Sequence, residues 1–492
     1  MIDSTTDLTI IGGAAAGSIL LAELSRCLLD NTSGVRYNII VVDPNINPEG
    51  GIPHADPHSA FHVNMRTKLH DIAGQPSFVR YLRRSGSTAN PPLRVDLGGY
   101  TRYIKHRAID ALEQQGHSVR FVRARATALE PSDGGYSVTL DRGEPLKTRS
   151  VVLATGNPPP SIPSNVRLVQ GSAGRIRRYT GDSTFAVGIG RRDNVLVLGM
   201  GPGGVDVARY LIESGFEGTI HLASRGGRLS AVTSLREPDD SMRAQVERAK
   251  NSLETGREHS LDDLAKAFLP VFRTYDPAFR LDPLRHAPVD PAAWLEEQIV
   301  LAAGGRPSWM VVLEAVGRVA PELWRMLSPA AKREFFKTWK DVYYARRHTS
   351  PLATSRWLAA QLASGDVRVG RIPGIVEVDK RHVIAEVELT PGGCRRAQYH
   401  WLVLATGPEY HVSKTESGLI RRLLEAGLAK PCMAAGEEIG GLATYNLELD
   451  GLTNVFAMGA LVRGEELAVH SFPALARHAE SIVQTLRDRL GS

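Results

Sequence analysis

Residues 194–211 read NVLVLGMGPGGVDVARYL. The apolar run Val195–Leu198 has the length and composition of a strand buried on both faces. It breaks at Gly199-Met200-Gly201-Pro202-Gly203-Gly204, and a helix is expected to begin near Gly203. Strand, turn and helix together give G-x-G-x-x-G in the setting where that motif has meaning. Gly199 permits the tight turn, Gly201 lets the backbone approach a pyrophosphate, and Gly204 lets helix and strand pack closely. Phosphates would then sit on backbone N–H groups at the positive end of the helix dipole. TIHLASR at 219–225 supplies the next strand. The stretch reads as a dinucleotide-binding βαβ unit.

The chain contains an earlier unit of the same kind. LTIIGGAAAGSILLAEL (8–24) is again strand, glycine-rich turn and helix. Gly12 and Gly17 hold the outer positions, and Ala14 replaces the middle glycine, so a methyl group stands where a phosphate should approach. The following strand, YNIIVVDP (37–44), ends in Asp43. A carboxylate there accepts hydrogen bonds from ribose hydroxyls; the competing reading is a turn cap before Pro44. The second unit has no acid in the equivalent place, but Ser224, Arg225 and Arg228 in ASRGGR. A carboxylate would repel a 2′-phosphate, whereas a hydroxyl and a guanidinium fork bind one. Two different dinucleotides are therefore expected, FAD at the first loop and NADPH at the second. A flavin is the natural companion because it takes a hydride and passes electrons singly or in pairs.

At 492 residues the chain exceeds one simple core. The expected fold class is α/β: two Rossmann-like dinucleotide-binding domains with a mainly helical insertion. The proline-rich NPPPSIPS (157–164) marks a junction. Residues 236–345 are charged, tryptophan-bearing and free of strand patterns, and AKREFFKTWKDVYYARRH (331–348) has helical spacing. Strand patterns return in DVRVGRIPGIVEVDKRHVIAEVEL (366–389) and in YHWLVLATGPEY (399–410), which returns the chain to the first domain. The expected division is FAD-binding over 1–165 and 401–492, NADPH-binding over 166–235 and 346–400, and insertion over 236–345.

Composition excludes several classes. No apolar run reaches the roughly 18 residues of a membrane span, and the N-terminus lacks the basic start of a signal peptide. The net charge of +6 is scattered, not striped as nucleic-acid binding requires. Cys27, Cys394 and Cys432 form no CxxC pair, which excludes a local redox dithiol. A cytoplasmic protein acting on a small molecule, with no membrane or nucleic-acid partner, is expected. The oligomeric state is not legible.

The arrangement resembles the two-dinucleotide-binding-domain flavoproteins, whose crossovers match Ala154-Thr155-Gly156 and Ala405-Thr406-Gly407. More narrowly it resembles the bacterial FAD/NAD(P)-binding family that includes a flavin-dependent urate hydroxylase and the nitrosuccinate-forming aspartate N-monooxygenases. Three stretches carry this likeness: GIPHADPHSAFHVNMR (51–66), LWRMLSPAAKREFFKTWKDVYYARRHTSP (323–351) and MGALVRGEELAVHSFPALARHAESI (458–482). It implies a flavin-proximal segment with His62 and Asn64, and Asn64 as a catalytic polar contact. It also places Gly459-Ala460 where many relatives carry Gly-Asp on the ribityl chain.

The implied activity is monooxygenation through a C4a-(hydro)peroxyflavin, with O₂ as co-substrate, that N-oxygenates an amino group of a small polar metabolite such as an acidic amino acid. Arg66, Lys68 and Arg347, beside Arg346, are the basic residues suited to clamp a carboxylate. His54, His58, His62 and His70 crowd one segment without a metal-binding spacing, so no metal is expected. C-hydroxylation of a urate-like heterocycle and NADPH-dependent electron transfer without oxygen insertion are the alternatives.

Overall fold

A computed structural model describes residues 6–28, 35–45, 51–169, 171–305, 308–389 and 393–490. The chain divides into two compact units. The first comprises Met1–Pro57, Arg66–Pro158 and Glu409–Ser492, and the second His58–Met65 and Pro159–Pro408.

In the first unit the opening strand Thr6–Ile11 lies in the middle of a parallel sheet. Asn38–Val42 and then Ser118–Val122 stand on one side, Leu146–Leu153 and then Val455–Ala457 on the other. Strand order therefore reverses at the opening strand, the switch point at which open α/β sheets bind ligands. The helix Ala15–Leu28 leaves that strand and packs against Arg94–Gln114 and Phe472–Leu490. Its Ile19, Leu20 and Leu21 are fully buried, and each such side chain contributes about 1.5–3 kcal/mol. The hairpin read from the sequence is present, with Gly135–Leu140 antiparallel to Leu146–Leu153.

The second unit repeats the plan with other segments. Val195–Leu198 is central, with Ile220–Ser224 and Val367–Arg371 on one side and Trp401–Leu404 and Ile176–Arg178 on the other, all parallel. Two expected boundaries move. Trp401–Leu404 pairs with Val195–Leu198 along its whole length and is buried throughout, so the return to the first unit falls at Glu409 and not at 401. Residues His58–Met65, expected in the first domain, belong to the second unit. Phe61 is fully buried there, its ring stacked on Tyr210 at 5.7 Å.

The described residues between 240 and 347 are mainly helical. Asp240–Asn251, Leu261–Tyr275 and Trp309–Met326 enclose a core that includes Met242, Val246, Phe268, Val311 and Leu323. Asp239 and Ser260 cap two of these helices by accepting from the N–H groups of Met242 and Asp263, each cap worth about 1 kcal/mol. The segment 331–348 is not one regular helix: a widened turn at Phe335–Trp339 separates Pro329–Glu334 from Lys340–Arg347. Phe335 and Phe336, at the start of that turn, both meet Trp324 edge-on, at 5.3 and 5.5 Å. Among the described residues no helix is long and apolar enough to cross a membrane.

Candidate dinucleotide-binding sites

The outer glycines of the two loops have the same geometry, contact for contact. Gly12 has φ +112° and Gly199 φ +131°. A Cβ on Gly12 would lie 2.2 Å from the carbonyl oxygen of Ala154, and one on Gly199 would lie 2.2 Å from that of Ala405. The alanines of the two ATG segments thus press against the first glycine of each loop. Their own N–H groups donate to Ile11 and Leu198, each at 2.8 Å. At the third position, a Cβ on Gly17 would lie 2.1 Å from the carbonyl oxygen of Gly12, and one on Gly204 the same distance from that of Gly199. Outer glycines are therefore demanded by the protein itself, at the point where helix and strand cross.

The middle positions differ in kind. Gly201 has an ordinary φ of −83°, and a Cβ there would meet nothing nearer than Ser230 Oγ at 3.9 Å. The space before the N-terminus of the helix Pro202–Glu213 is open, as an approaching pyrophosphate needs. Ala14 carries its methyl group toward Gly51, whose own Cβ would lie 3.2 Å away at φ +91°. Sequence reading missed Tyr179 and Asp206, which brace the second loop. The Tyr179 ring lies 3.3 Å from a Cβ on Gly203, and its buried hydroxyl donates to Asp206 at 2.9 Å. Neither belongs to a motif, so nothing in the sequence marked them.

Charge at the two strand ends is opposite. Asp43 is buried and accepts from the N–H groups of Gly13 and Asn45, both at 2.8 Å. It ties the first loop to its own turn, and each carboxylate oxygen keeps a lone pair for a further donor. Ser224 Oγ accepts from the N–H of Gly227 at 3.0 Å. Arg225 is exposed. Arg228 is half-buried and donates to the carbonyl of Arg285, and burial lowers its pKa.

The remaining residues fall into separate places. Thr155 and Thr406 are exposed, and Gly156 and Gly407, at φ +77° and +81°, have open space where a Cβ would stand. Gly459 donates its N–H to Nδ1 of the buried His478 at 3.2 Å, with Ala460 buried beside it. His62 and Asn64 lie in the short segment of the second unit. His62 Nδ1 is 3.0 Å from Arg209 on the loop's helix, and burial followed by that guanidinium lowers its pKa. Asn64 is half-buried. Arg66 and Lys68 belong to the first unit and Arg347 to the second. The Arg347 guanidinium lies against Gly317, where a Cβ would come within 2.5 Å of Nε. Arg347 is half-buried and lies on the helical insertion, in the second unit.

The four clustered histidines disperse. His54 and His70 contact Phe472 in the first unit, whereas His58 contacts Tyr210 in the second. Among the described residues no group of three His, Cys, Asp or Glu side chains is arranged to hold a metal ion.

Residues 9–158 match a family model described as FAD-NAD(P)-binding. No curated protein matches the sequence. Among solved structures, the ornithine hydroxylase of Pseudomonas aeruginosa is 15% identical, with 99% of each chain covered and a TM-score of 0.57. The ornithine N-hydroxylase of Kutzneria sp. 744, in a structure with reduced FAD, NADP⁺ and L-ornithine, is 13% identical. There 99% of this chain and 100% of that one are covered, at a TM-score of 0.58. The bacillithiol disulfide reductase of Bacillus cereus is 14% identical over 98% of this chain and 99% of its own, at 0.51. At such identities the likeness is one of fold. The chain has the two-dinucleotide-binding-domain flavoprotein fold, mixed α/β with a parallel sheet in each unit.

Proposed function

We propose that the chain is an FAD- and NADPH-dependent N-monooxygenase that oxygenates an amino group of a small polar metabolite, with an acidic amino acid as the leading substrate class. The observation that carries this reading is the pair of matched switch-point loops with opposite charge at their strand ends, Asp43 in one unit and Ser224 and Arg225 in the other.

In this reading Gly12, Ala14 and Gly17 cradle the FAD pyrophosphate and Asp43 takes a ribose. Gly199, Gly201 and Gly204 cradle the NADPH pyrophosphate, and Ser224 and Arg225 take its 2′-phosphate. When bound, the flavin accepts a hydride from NADPH and supplies the reducing equivalents for oxygen chemistry. The chain's own residues bind, orient and exclude water. Asn64 is the candidate polar contact near the reacting atoms, and Arg66 and Lys68 offer positive charge to a carboxylate. The fold shared with ornithine hydroxylases supports N-oxygenation, and the acidic substrate rests on the sequence resemblance.

A second reading, electron transfer without oxygen insertion, is favoured by the fold shared with a disulfide reductase. It lacks the paired dithiol that such chemistry uses, because the three cysteines stand at 27, 394 and 432. The test is NADPH oxidation in air with a panel of amino acids and urate, scoring N–O product, hydroxylated urate and peroxide. N–O product matched to NADPH for one amino acid supports the proposal. Coupling to urate moves the reaction to C-hydroxylation, and peroxide alone with every compound overturns both oxygenation readings.

A further inference from the structure

The loop after Ile220–Ser224 leads to two guanidinium groups that the proposed function does not use. Arg346 lies in the last turn of the insertion's last helix, Lys340–Arg347, and is 4% exposed. Its Cζ stands 4.3 Å over the ring of Trp294, and Nη1 donates to the carbonyl of Leu229 at 3.4 Å. Arg228 donates to the carbonyls of Arg285 and Gly226. The Nε–H of each arginine is buried and meets no acceptor among the described residues.

Carbonyls satisfy hydrogen bonds but cancel no charge. Burial, then the charge of Arg228, pushes the Arg346 guanidinium down to about 10. Among the described residues Asp341 favours the charge of Arg228 and Arg371 opposes it, and Arg371 is itself paired with Glu388 at 3.4 Å. A buried cation with no carboxylate against it, as Arg346 is among the described residues, is unfavourable, and buried donors are ordinarily matched. A bound dianion removes both defects together.

We propose that Arg228 and Arg346 jointly bind a phosphate monoester dianion, the 2′-phosphate of the second unit's dinucleotide, so that the helical insertion takes part in coenzyme selection. This rests on the NADPH reading above. Position favours a phosphate over a substrate carboxylate. Arg228 follows Ser224 in the short loop at the ribose end of the βαβ unit, and the Gly227 N–H already orients the Ser224 hydroxyl. Two guanidinium forks also match the charge of a dianion, where one suffices for a carboxylate.

The test is calorimetric titration of the full chain with adenosine 2′,5′-bisphosphate and with adenosine 5′-monophosphate. Arg346→Gln is expected to weaken the bisphosphate about 10- to 100-fold and leave the monophosphate unchanged, with Arg346→Lys in between. If R346Q binds the bisphosphate as the wild type does, the inference fails while wild-type discrimination still upholds NADPH. A wild type that binds both ligands equally overturns the NADPH reading itself. Should R346Q not fold, Arg228→Gln, at a half-buried position, gives the same two outcomes.

Discussion

Gly201→Ala separates what the protein requires from what the ligand requires. On the protein side the methyl group is free: φ is −83° and the nearest atom is 3.9 Å away. Replacing glycine at a compatible φ gains about 0.4–1 kcal/mol through the unfolded chain, which offsets the poorer fit of alanine to this helix N-cap. On the ligand side the methyl group stands in the open space before the N-terminus of Pro202–Glu213, where the account seats the pyrophosphate. Displacing a phosphate from one or two backbone donors costs about 1.5–3 kcal/mol for a charge-assisted bond, or roughly 10- to 150-fold in affinity. The variant should melt near the wild-type temperature and bind NADP⁺ at least about tenfold more weakly by calorimetry. NADP⁺ affinity within threefold of wild type, with the fold intact, would refute the placement of the pyrophosphate.

Gly12→Ala and Gly199→Ala drive a Cβ to 2.2 Å from a carbonyl oxygen at positive φ, a strain of about 1–3 kcal/mol before any clash. The first should lose bound flavin by absorbance and keep NADP⁺ binding, the second the reverse; loss of the same ligand in both would contradict two separate sites. Arg225→Ala should raise the KM for NADPH about tenfold and leave that for NADH nearly unchanged, and equal effects would remove Arg225 from the phosphate site. His221 is buried, its pKa lowered by burial to about 4, with Nδ1 2.5 Å from the Tyr399 hydroxyl. Between about 6.5 and 4 the unfolded chain holds a proton that the folded chain refuses, so stability falls as pH falls across that window, by roughly 3 kcal/mol. Thermal melts at pH 7 and pH 4.5 should show a smaller loss for His221→Gln than for wild type, and an equal loss would show that His221 does not set it.

Much of the fold was legible because its signals are local. A four-residue apolar strand, glycines at fixed spacing and a helix pattern are adjacent in sequence, and both loops fold as read. The role of the ATG segments was not legible. Ala154 and Ala405 act through carbonyls that touch glycines far away in the chain, and only strand pairing reveals that. The same holds for Trp401–Leu404, whose apolar run fits either sheet until its register with Val195–Leu198 is known. His62 and Asn64 were read from a motif, but their segment is held to the second unit by Phe61 and His58 packing on Tyr210. Arg347, a basic residue in a suggestive place, has its guanidinium beside Gly317, a contact that no local pattern announces. Buried contributors such as Tyr179, Asp206 and Arg346 left no pattern, because a single long-range contact imposes no periodicity.

In the proposed function the first unit's loop binds FAD and the second unit's loop binds the NADPH that reduces it. The most direct measurement is anaerobic rapid mixing of the purified, FAD-loaded protein with NADPH or NADH at equal low concentration, following the oxidised flavin band. Bleaching by NADPH is expected at least about tenfold faster than by NADH, from the 2′-phosphate contribution at Ser224 and Arg225. Flavin that neither coenzyme bleaches, or that both bleach at the same rate, would contradict it.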